Sequence, residues 1–301
     1  MPTRPGLLGF RIAATSTDGI DWPAMRETWA RAGASGVFDA GWVSDHVSDA
    51  GRERGGSAFE AFTSLAALAT SVAGLWAGVA VAANTFRHPA LLAKQATVLD
   101  NITGGRFILG IGAGWHVGEH EQFGIPLPPI EERFARYEHA VEVIAALFSP
   151  AARVEPGVTL DDPYYPLRCA TNDPPPIRPE GPAIWLGGQK RRGIALAARF
   201  AEGWPMPGNR PGDVAYFSQK RDEIRRALEA VGRDPDAFTF AAQLSSGLTD
   251  ADRREALETA TAFVQAGASH VIIGVPGRLG PDGLDAMAAQ VAVPLRERAG
   301  A

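Results

Sequence analysis

Short apolar runs alternate along the chain with longer segments whose apolar positions recur at helical spacing, on a beat of roughly 30 to 35 residues. A short run that is apolar throughout fits a strand buried on both faces, whereas a 3.6-residue period fits an amphipathic helix. The first predicted strand covers 7–14. Asp21 or its neighbours open a helix with Pro23 in its first turn, where a missing N–H is tolerated. Strands at 36–43, 76–83 and 106–111 follow, each with a helix behind it, at 57–71, 89–101 and 131–147. The last helix sets Val141, Ile144, Ala145 and Leu147 opposite a charged face.

Between 148 and 182 the rhythm breaks. Nine of the 23 prolines fall in this segment, too many for a regular element to continue, so it is expected to be an irregular insertion with a short hairpin around 158–167. The beat then resumes with strands at 183–186, 203–206, 238–243 and 270–274, and helices at 191–201, 213–230, 250–265 and 283–296. Eight strand–helix units imply a parallel sheet with right-handed crossovers. The predicted fold is α/β, a closed (β/α)8 TIM barrel forming a single domain over 1–301 with the proline-rich insertion after its fourth helix.

Composition narrows the function classes. A net charge of −5 argues against a nucleic-acid binder. The single cysteine, Cys169, excludes an intrachain disulfide framework and a cysteine-rich zinc site. The longest apolar stretch, 65–83, is interrupted by Thr70, Ser71 and two glycines, and fits a helix followed by a strand better than a membrane span. With no leader-like apolar run near Met1, the expected location is cytoplasmic. The 26 arginines against three lysines reflect codon bias rather than function.

In such a barrel the chemistry gathers at the C-terminal strand ends. Those ends carry Thr15 and Ser16, Asp45 and His46, Asn84 and Thr85, Gly112 through Trp115, Gly187 through Gln189, Trp204 through Met206, Gln243 and Gly274. Asp45–His46 is the sharpest pair, since histidine shuttles protons near neutral pH and an adjacent acid can orient it or a ligand. The competing account is an aspartate capping a loop beside a surface histidine. The glycines at 110, 112 and 114 miss the dinucleotide spacing because Trp115 follows, but they permit close backbone approach to a flat ligand. His116, Glu119 and His120 match the inverted zincin pattern, yet Gly118 inside the segment favours a polar loop, so no metal is expected. Gly187 and Gly188 precede Lys190, Arg191 and Arg192 at a helix start, an arrangement that suits an anion.

Taken together, these residues resemble the luciferase-like monooxygenase superfamily, which contains flavin-dependent monooxygenases and deazaflavin-dependent oxidoreductases. The resemblance rests on Trp42-Val-Ser-Asp45-His46, on Thr85-Phe-Arg87-His-Pro89, and on Asn101-Ile-Thr-Gly104-Gly-Arg106 running into the 110–115 glycine turn. It continues through Phe123-Gly-Ile-Pro126, Ile184-Trp-Leu-Gly187-Gly188 and Glu202-Gly-Trp204.

The resemblance implies an oxidoreductase moving a hydride between coenzyme F-420 (an 8-hydroxy-5-deazaflavin) and a small organic substrate. An FMN-dependent monooxygenase using dioxygen is the alternative, and a non-catalytic binding barrel the second. His46 is implied as the catalytic proton carrier. Asp45, Ala80, Val81, Ala113, Gly114, Gly187, Gly188, Lys190 and Arg191 are implied as cofactor-binding, with the phosphate near Gly187 and Gly188. Trp42, Trp115, Trp204 and Met206 are candidate walls of the substrate pocket, core packing being the competing account of each tryptophan. A non-prolyl cis peptide is expected near Ala80–Val81. Trp115 stands where the sugar-phosphate dehydrogenase branch has a catalytic glutamate, so that substrate does not carry over. Partners would be the small-molecule substrate, with a homodimer allowed and a separate reductase if FMN serves; neither nucleic acid nor membrane is expected.

Overall fold

A computed structural model describes residues 4–13, 20–48 and 58–300. The first half of the chain forms β1 (Leu8–Ala13), α1 (Trp22–Ser35), β2 (Ala40–Val43), α2 (Ala61–Ala69), β3 (Trp76–Ala83), α3 (Pro89–Thr103) and β4 (Phe107–Gly112). Two helices come next, α4 (Val117–Phe123) and α5 (Ile130–Phe148), before the small antiparallel pair β5 (Val158–Leu160) and β6 (Leu167–Ala170). The rest comprises β7 (Ala183–Leu186), α6 (Arg191–Phe200), β8 (Gly203–Pro205), α7 (Val214–Ala230), β9 (Thr239–Ser245), α8 (Asp250–Gln265) and β10 (His270–Pro276). A last helix is divided by a π turn at Ala288–Ala292 into α9 (Gly280–Met287) and α10 (Val293–Gly300).

Eight parallel strands close in the order β1-β10-β9-β8-β7-β4-β3-β2, giving the (β/α)8 TIM barrel that the periodicity predicts. Most boundaries agree to within a few residues. β2 starts at Ala40 rather than 36 because Gly36, at φ 65°, is the left-handed cap ending α1. Asp21 caps α1 by accepting from the Ala24 N–H, with Pro23 inside the first turn. The helix α4 was not anticipated. Thr15, Ser16 and the predicted start of the second helix at 57 lie outside the described residues. No helix among the described residues is long and apolar enough to cross a membrane.

The 148–182 segment contains the hairpin β5–β6 and is fastened to the barrel by buried polar groups. The Asn172 amide donates to Thr97 Oγ1 and the Leu147 carbonyl, and Asp100 accepts from the N–H groups of Ile177 and Arg178.

Inside the barrel Ala40, Trp42, Trp76, Ala80, Ile108, Ala183, Trp185, Ala241 and Ile272 form an apolar plug. Trp42 and Trp185 approach to 4.8 Å between ring centroids, and His270 lies 5.6 and 5.8 Å from them. Gly78 is required here: a Cβ would come within 2.3 Å of the Trp42 ring. Trp42, at 1% exposure, is therefore barrel core and not a pocket wall, which corrects the sequence expectation. Its indole N–H donates to His270 Nε2 at 3.0 Å, while His270 Nδ1–H donates to the Gly6 carbonyl at 2.6 Å. These two bonds define a neutral tautomer. Burial pushes the His270 pKa down to about 4, against the weaker pull of the Gly6 carbonyl and of Asp39.

A histidine held neutral in the fold binds fewer protons than its unfolded counterpart. Its contribution is complete above the unfolded value of about 6.5 and is lost as the pH falls towards about 4. The expected loss over that window is about 3 kcal/mol. Urea unfolding of the native protein and His270→Gln at pH 7, 6, 5 and 4 should show the difference between them shrinking by that order. A difference independent of pH would rule out a buried neutral His270.

Candidate active site

Three features converge on the mouth of the barrel: the turn after β2, an irregularity in β3, and the glycine-rich ends of β4 and β7. In β3 the peptide Ala80–Val81 is cis, as expected, and the ladder to β4 is interrupted between Val79 and Ala82. The Val81 side chain faces three glycines. Added Cβ atoms would lie 3.2 Å from it at Gly110, 3.0 Å at Gly112 and 3.8 Å at Gly187. The structure thus brings Val81, predicted on β3, together with Gly187, predicted in the turn after β7. Ala113 and Gly114 continue from β4; Gly114 has φ 82°, and a Cβ there would meet Thr85 Oγ1 at 2.4 Å.

Asp45 is buried after β2, and its carboxylate accepts from Arg87 Nη1 and Nη2 at 2.6 and 2.9 Å and from the Ala83 N–H at 2.9 Å. Arg87 also pairs with Glu60, whose carboxylate caps α2, and lies over the Phe62 ring at 4.6 Å. Burial opposes the Arg87 charge, but the two carboxylates more than offset it and raise its pKa above the ordinary value. Asp45 is therefore turned into the protein. Where the resemblance implies a cofactor-binding acid, its bonds tie the ends of β2 and β3 together just beyond the cis peptide.

His46 follows, and its Nδ1–H donates to Glu119 Oε2 at 2.8 Å. Glu119 Oε1 accepts from the Val47 and Ser48 N–H groups at 2.8 and 3.1 Å. Burial raises the Glu119 pKa, yet the hydrogen bonds from His46, Ser48 and Val47 outweigh it and hold the carboxyl below its usual value. A carboxylate on Nδ1 selects the tautomer that leaves Nε2 free to exchange a proton. The chemical unit is a His–Glu pair.

Sequence reasoning missed Glu119, reading its surroundings as a polar loop. The segment is instead α4. His116 Nδ1 caps it by accepting from the Glu119 N–H at 3.0 Å, and Gly124 ends it at φ 65°. His120 donates from Nδ1 to the His116 carbonyl and accepts at Nε2 from Thr85 Oγ1. An acid three residues after a capping side chain was the available signal. Arg87 was missed likewise. His139, Glu142 and Asp162 bring ligand atoms within 4.8 Å on α5 and the insertion, but Asp162 already accepts from His139 and from the Tyr164 and Tyr165 N–H groups.

The remaining candidates divide. Gly188 is buried against α6, where a Cβ would lie 2.7 Å from the Gly193 backbone. Lys190 is the cap residue of α6; it and Arg191 are exposed and form no ion pair among the described residues, whereas Arg192 is drawn to Glu138, Glu131 and the Phe134 ring. Trp115 is 64% exposed at the rim, edge-on to His46 at 6.2 Å. Trp204 and Met206 are fully buried, correcting their assignment as pocket walls. The Trp204 indole N–H donates to the Gly188 carbonyl at 2.8 Å and its ring packs on Phe217, so it clamps the turn from beneath.

Glu119→Ala removes the acceptor for two backbone N–H groups and should lower stability by about 1–3 kcal/mol. Glu119→Gln, which keeps an acceptor oxygen, should lose less. Urea unfolding distinguishes them; equal losses would show that the Glu119 oxygens do not hold the 44–48 turn.

Among curated proteins, the chain is 34% identical over 280 residues to a phthiodiolone/phenolphthiodiolone dimycocerosates ketoreductase of Mycobacterium sp. (strain JLS), covering 84% of this chain and 70% of that protein. It is 32% identical over 199 residues to an F420-dependent glucose-6-phosphate dehydrogenase of Beutenbergia cavernae, covering 65% of this chain and 55% of that protein. Similar folds include an F420-dependent secondary alcohol dehydrogenase in complex with an F420-acetone adduct, with TM-score 0.74, 16% identity and coverage of 97% and 99%. A long-chain alkane monooxygenase gives TM-score 0.76, 16% identity and coverage of 99% and 92%. The family profile described as luciferase-like monooxygenase matches residues 7–298, and the chain belongs to that family.

Proposed function

We propose that this protein transfers a hydride between coenzyme F-420, held in the barrel mouth, and the carbonyl carbon of a small organic substrate. The observation that carries this reading is the His46–Glu119 pair beside a bed of small groups formed by Val81, Gly110, Gly112 and Gly187. A flat polycyclic ring needs such a bed; a Cβ at 112 would crowd Val81, and one at 110 would collide with the Val79 carbonyl. The residues present therefore fit the ring. The names of the relatives, a ketoreductase and an F420-dependent dehydrogenase, favour carbonyl chemistry and a deazaflavin.

When bound, the deazaflavin supplies a two-electron hydride donor or acceptor. Ala80, Val81, Ala113 and Gly114 would line the ring, and Gly187 and Gly188 would meet the phosphate at the start of α6. Asp45 and Arg87 keep the supporting strand ends in register. His46 Nε2 would pass a proton to or from the substrate oxygen, with Glu119 holding Nδ1–H and stabilising the imidazolium. Trp115 would shield this proton transfer at the rim. Lys190 and Arg191 would face the carboxylates of the cofactor tail; exposed pairs contribute only about 0.2–1 kcal/mol each, so they would tune affinity and salt dependence.

His46→Ala should lower turnover by about 10²–10⁴-fold while the dissociation constant for the cofactor stays within a few-fold. Steady-state kinetics with cofactor titration would test this; normal turnover would remove His46 from the chemistry. Titrating the apoprotein with coenzyme F-420 and with FMN at low and moderate salt should show tight, salt-sensitive binding of the deazaflavin. Submicromolar FMN binding without deazaflavin binding would overturn the reading in favour of a dioxygen-using monooxygenase served by a separate reductase.

A further inference from the structure

Among the described residues, Arg11 is a cation inside the barrel without a counter-charge. Gly9 on β1 faces Trp42 and His270 in the plug, so the alternation of the strand turns Arg11 inward as well, one layer nearer the mouth. Ala241 on β9 belongs to the same plug, and Gln243 is turned inward by the same rule. Arg11 Nη1 donates to Gln243 Oε1 at 2.8 Å. The Gln243 amide nitrogen donates to the Met206 carbonyl, which directs its oxygen at the guanidinium. Among the described residues no carboxylate pairs with Arg11, and its Nε is buried without a partner. Burial pushes its pKa down to about 10, which leaves it charged at neutral pH.

The surroundings contrast with this. Around the mouth Arg87 is paired with Asp45 and Glu60, and His46 with Glu119. Beside Arg11 in the sheet lies Gly274, where an added Cβ would meet nothing closer than 3.4 Å. The cation thus borders free space and is only partly covered. β1 is also four strands from β7 whichever way the barrel is followed, so Arg11 sits opposite the Gly187–Gly188 turn.

We propose that Arg11, oriented by Gln243, is a subsite for a carboxylate carried by the substrate, so that the substrate is a small carboxylic acid with its reacting carbonyl elsewhere in the molecule. A planar carboxylate matches the donor fork of a guanidinium and brings the full negative charge that the site lacks, whereas a neutral carbonyl would leave the partly covered charge uncompensated. Assigning this carboxylate to the substrate rests on the reading that the β7 side holds the cofactor phosphate.

The test uses the apoprotein with benzoate as probe and benzamide as its neutral counterpart, followed by thermal unfolding. Benzoate should raise the midpoint of the native protein in a concentration-dependent way, and benzamide should not. Arg11→Met should abolish the benzoate effect, unfold no earlier than the native protein without benzoate, and bind coenzyme F-420 within threefold of native affinity. Arg11→Lys, which keeps the charge but not the fork, should respond to benzoate at least fivefold more weakly, and it carries the test if Arg11→Met does not fold. Equal stabilisation of all three proteins by benzoate would overturn the proposal. So would a tenfold loss of F-420 affinity in Arg11→Met, which would place Arg11 on the cofactor. If benzoate binding depends on Arg11 but the native protein binds no deazaflavin, the subsite stands and the cofactor reading falls.

Discussion

The interior of an eight-stranded barrel is only wide enough for side chains to fill, and the way this chain fills it constrains everything above. Trp42, Trp185 and His270 occupy one level, with ring centroids 4.8 to 5.8 Å apart. Such bulk is accommodated because neighbouring inward positions are reduced to glycine at 9, 78 and 203. The next level towards the C-terminal ends reverses the pattern. Gly112, Gly187 and Gly274 leave space there, Gly110 lets the β3 backbone come close, and Val81 and Arg11 project among them. A solid plug below and an open bed above follow from one distribution of large and small residues along the inward faces.

Above that bed, precision comes from buried ion pairs that also hold backbone. Asp45 joins a bidentate arginine to the N–H of Ala83, and Glu119 joins His46 to the N–H groups of Val47 and Ser48. Each carboxylate fastens one chain segment to another that is distant in sequence. Exposed pairs elsewhere, such as Arg298–Glu258, contribute little by comparison because water screens them and long side chains lose entropy on pairing. The turn after β2 is therefore held from two sides, by the α2–β3 network and by α4, and the His46 imidazole gains a defined tautomer and orientation. Among the described residues Arg11 is the exception, partly covered beside a neutral amide. Uncompensated charge in a barrel interior is costly to keep, which is the physical reason to connect it with a ligand.

Local patterning was sufficient for the architecture. The strands 76–83 and 183–186 and the helix 250–265 coincide with β3, β7 and α8, because a fully buried strand and an amphipathic helix leave their periods in a few consecutive residues. The proline-dense insertion and its hairpin were legible for the same reason. So was the placement of polar residues at strand ends, while the cis peptide at Ala80–Val81 came through the family resemblance of the surrounding motifs.

What each side chain meets was not local. Four residues were grouped as pocket walls, yet Trp42 fills the plug, Trp204 clamps the Gly188 turn, Met206 is buried and only Trp115 reaches the rim. Which way an indole faces depends on strand register around the closed barrel, and no short window of sequence contains it. The partners of the two acids are equally remote: Arg87 lies 42 residues from Asp45, and Glu119 lies 73 from His46. By itself the sequence determined the order of strands and helices, the strand ends at which polar residues collect, and the glycines that let backbone come close. Only the tertiary structure decided which charges are paired, which tautomer His46 adopts and that Arg11 meets no carboxylate among the described residues, because burial and electrostatic pairing arise where distant segments meet.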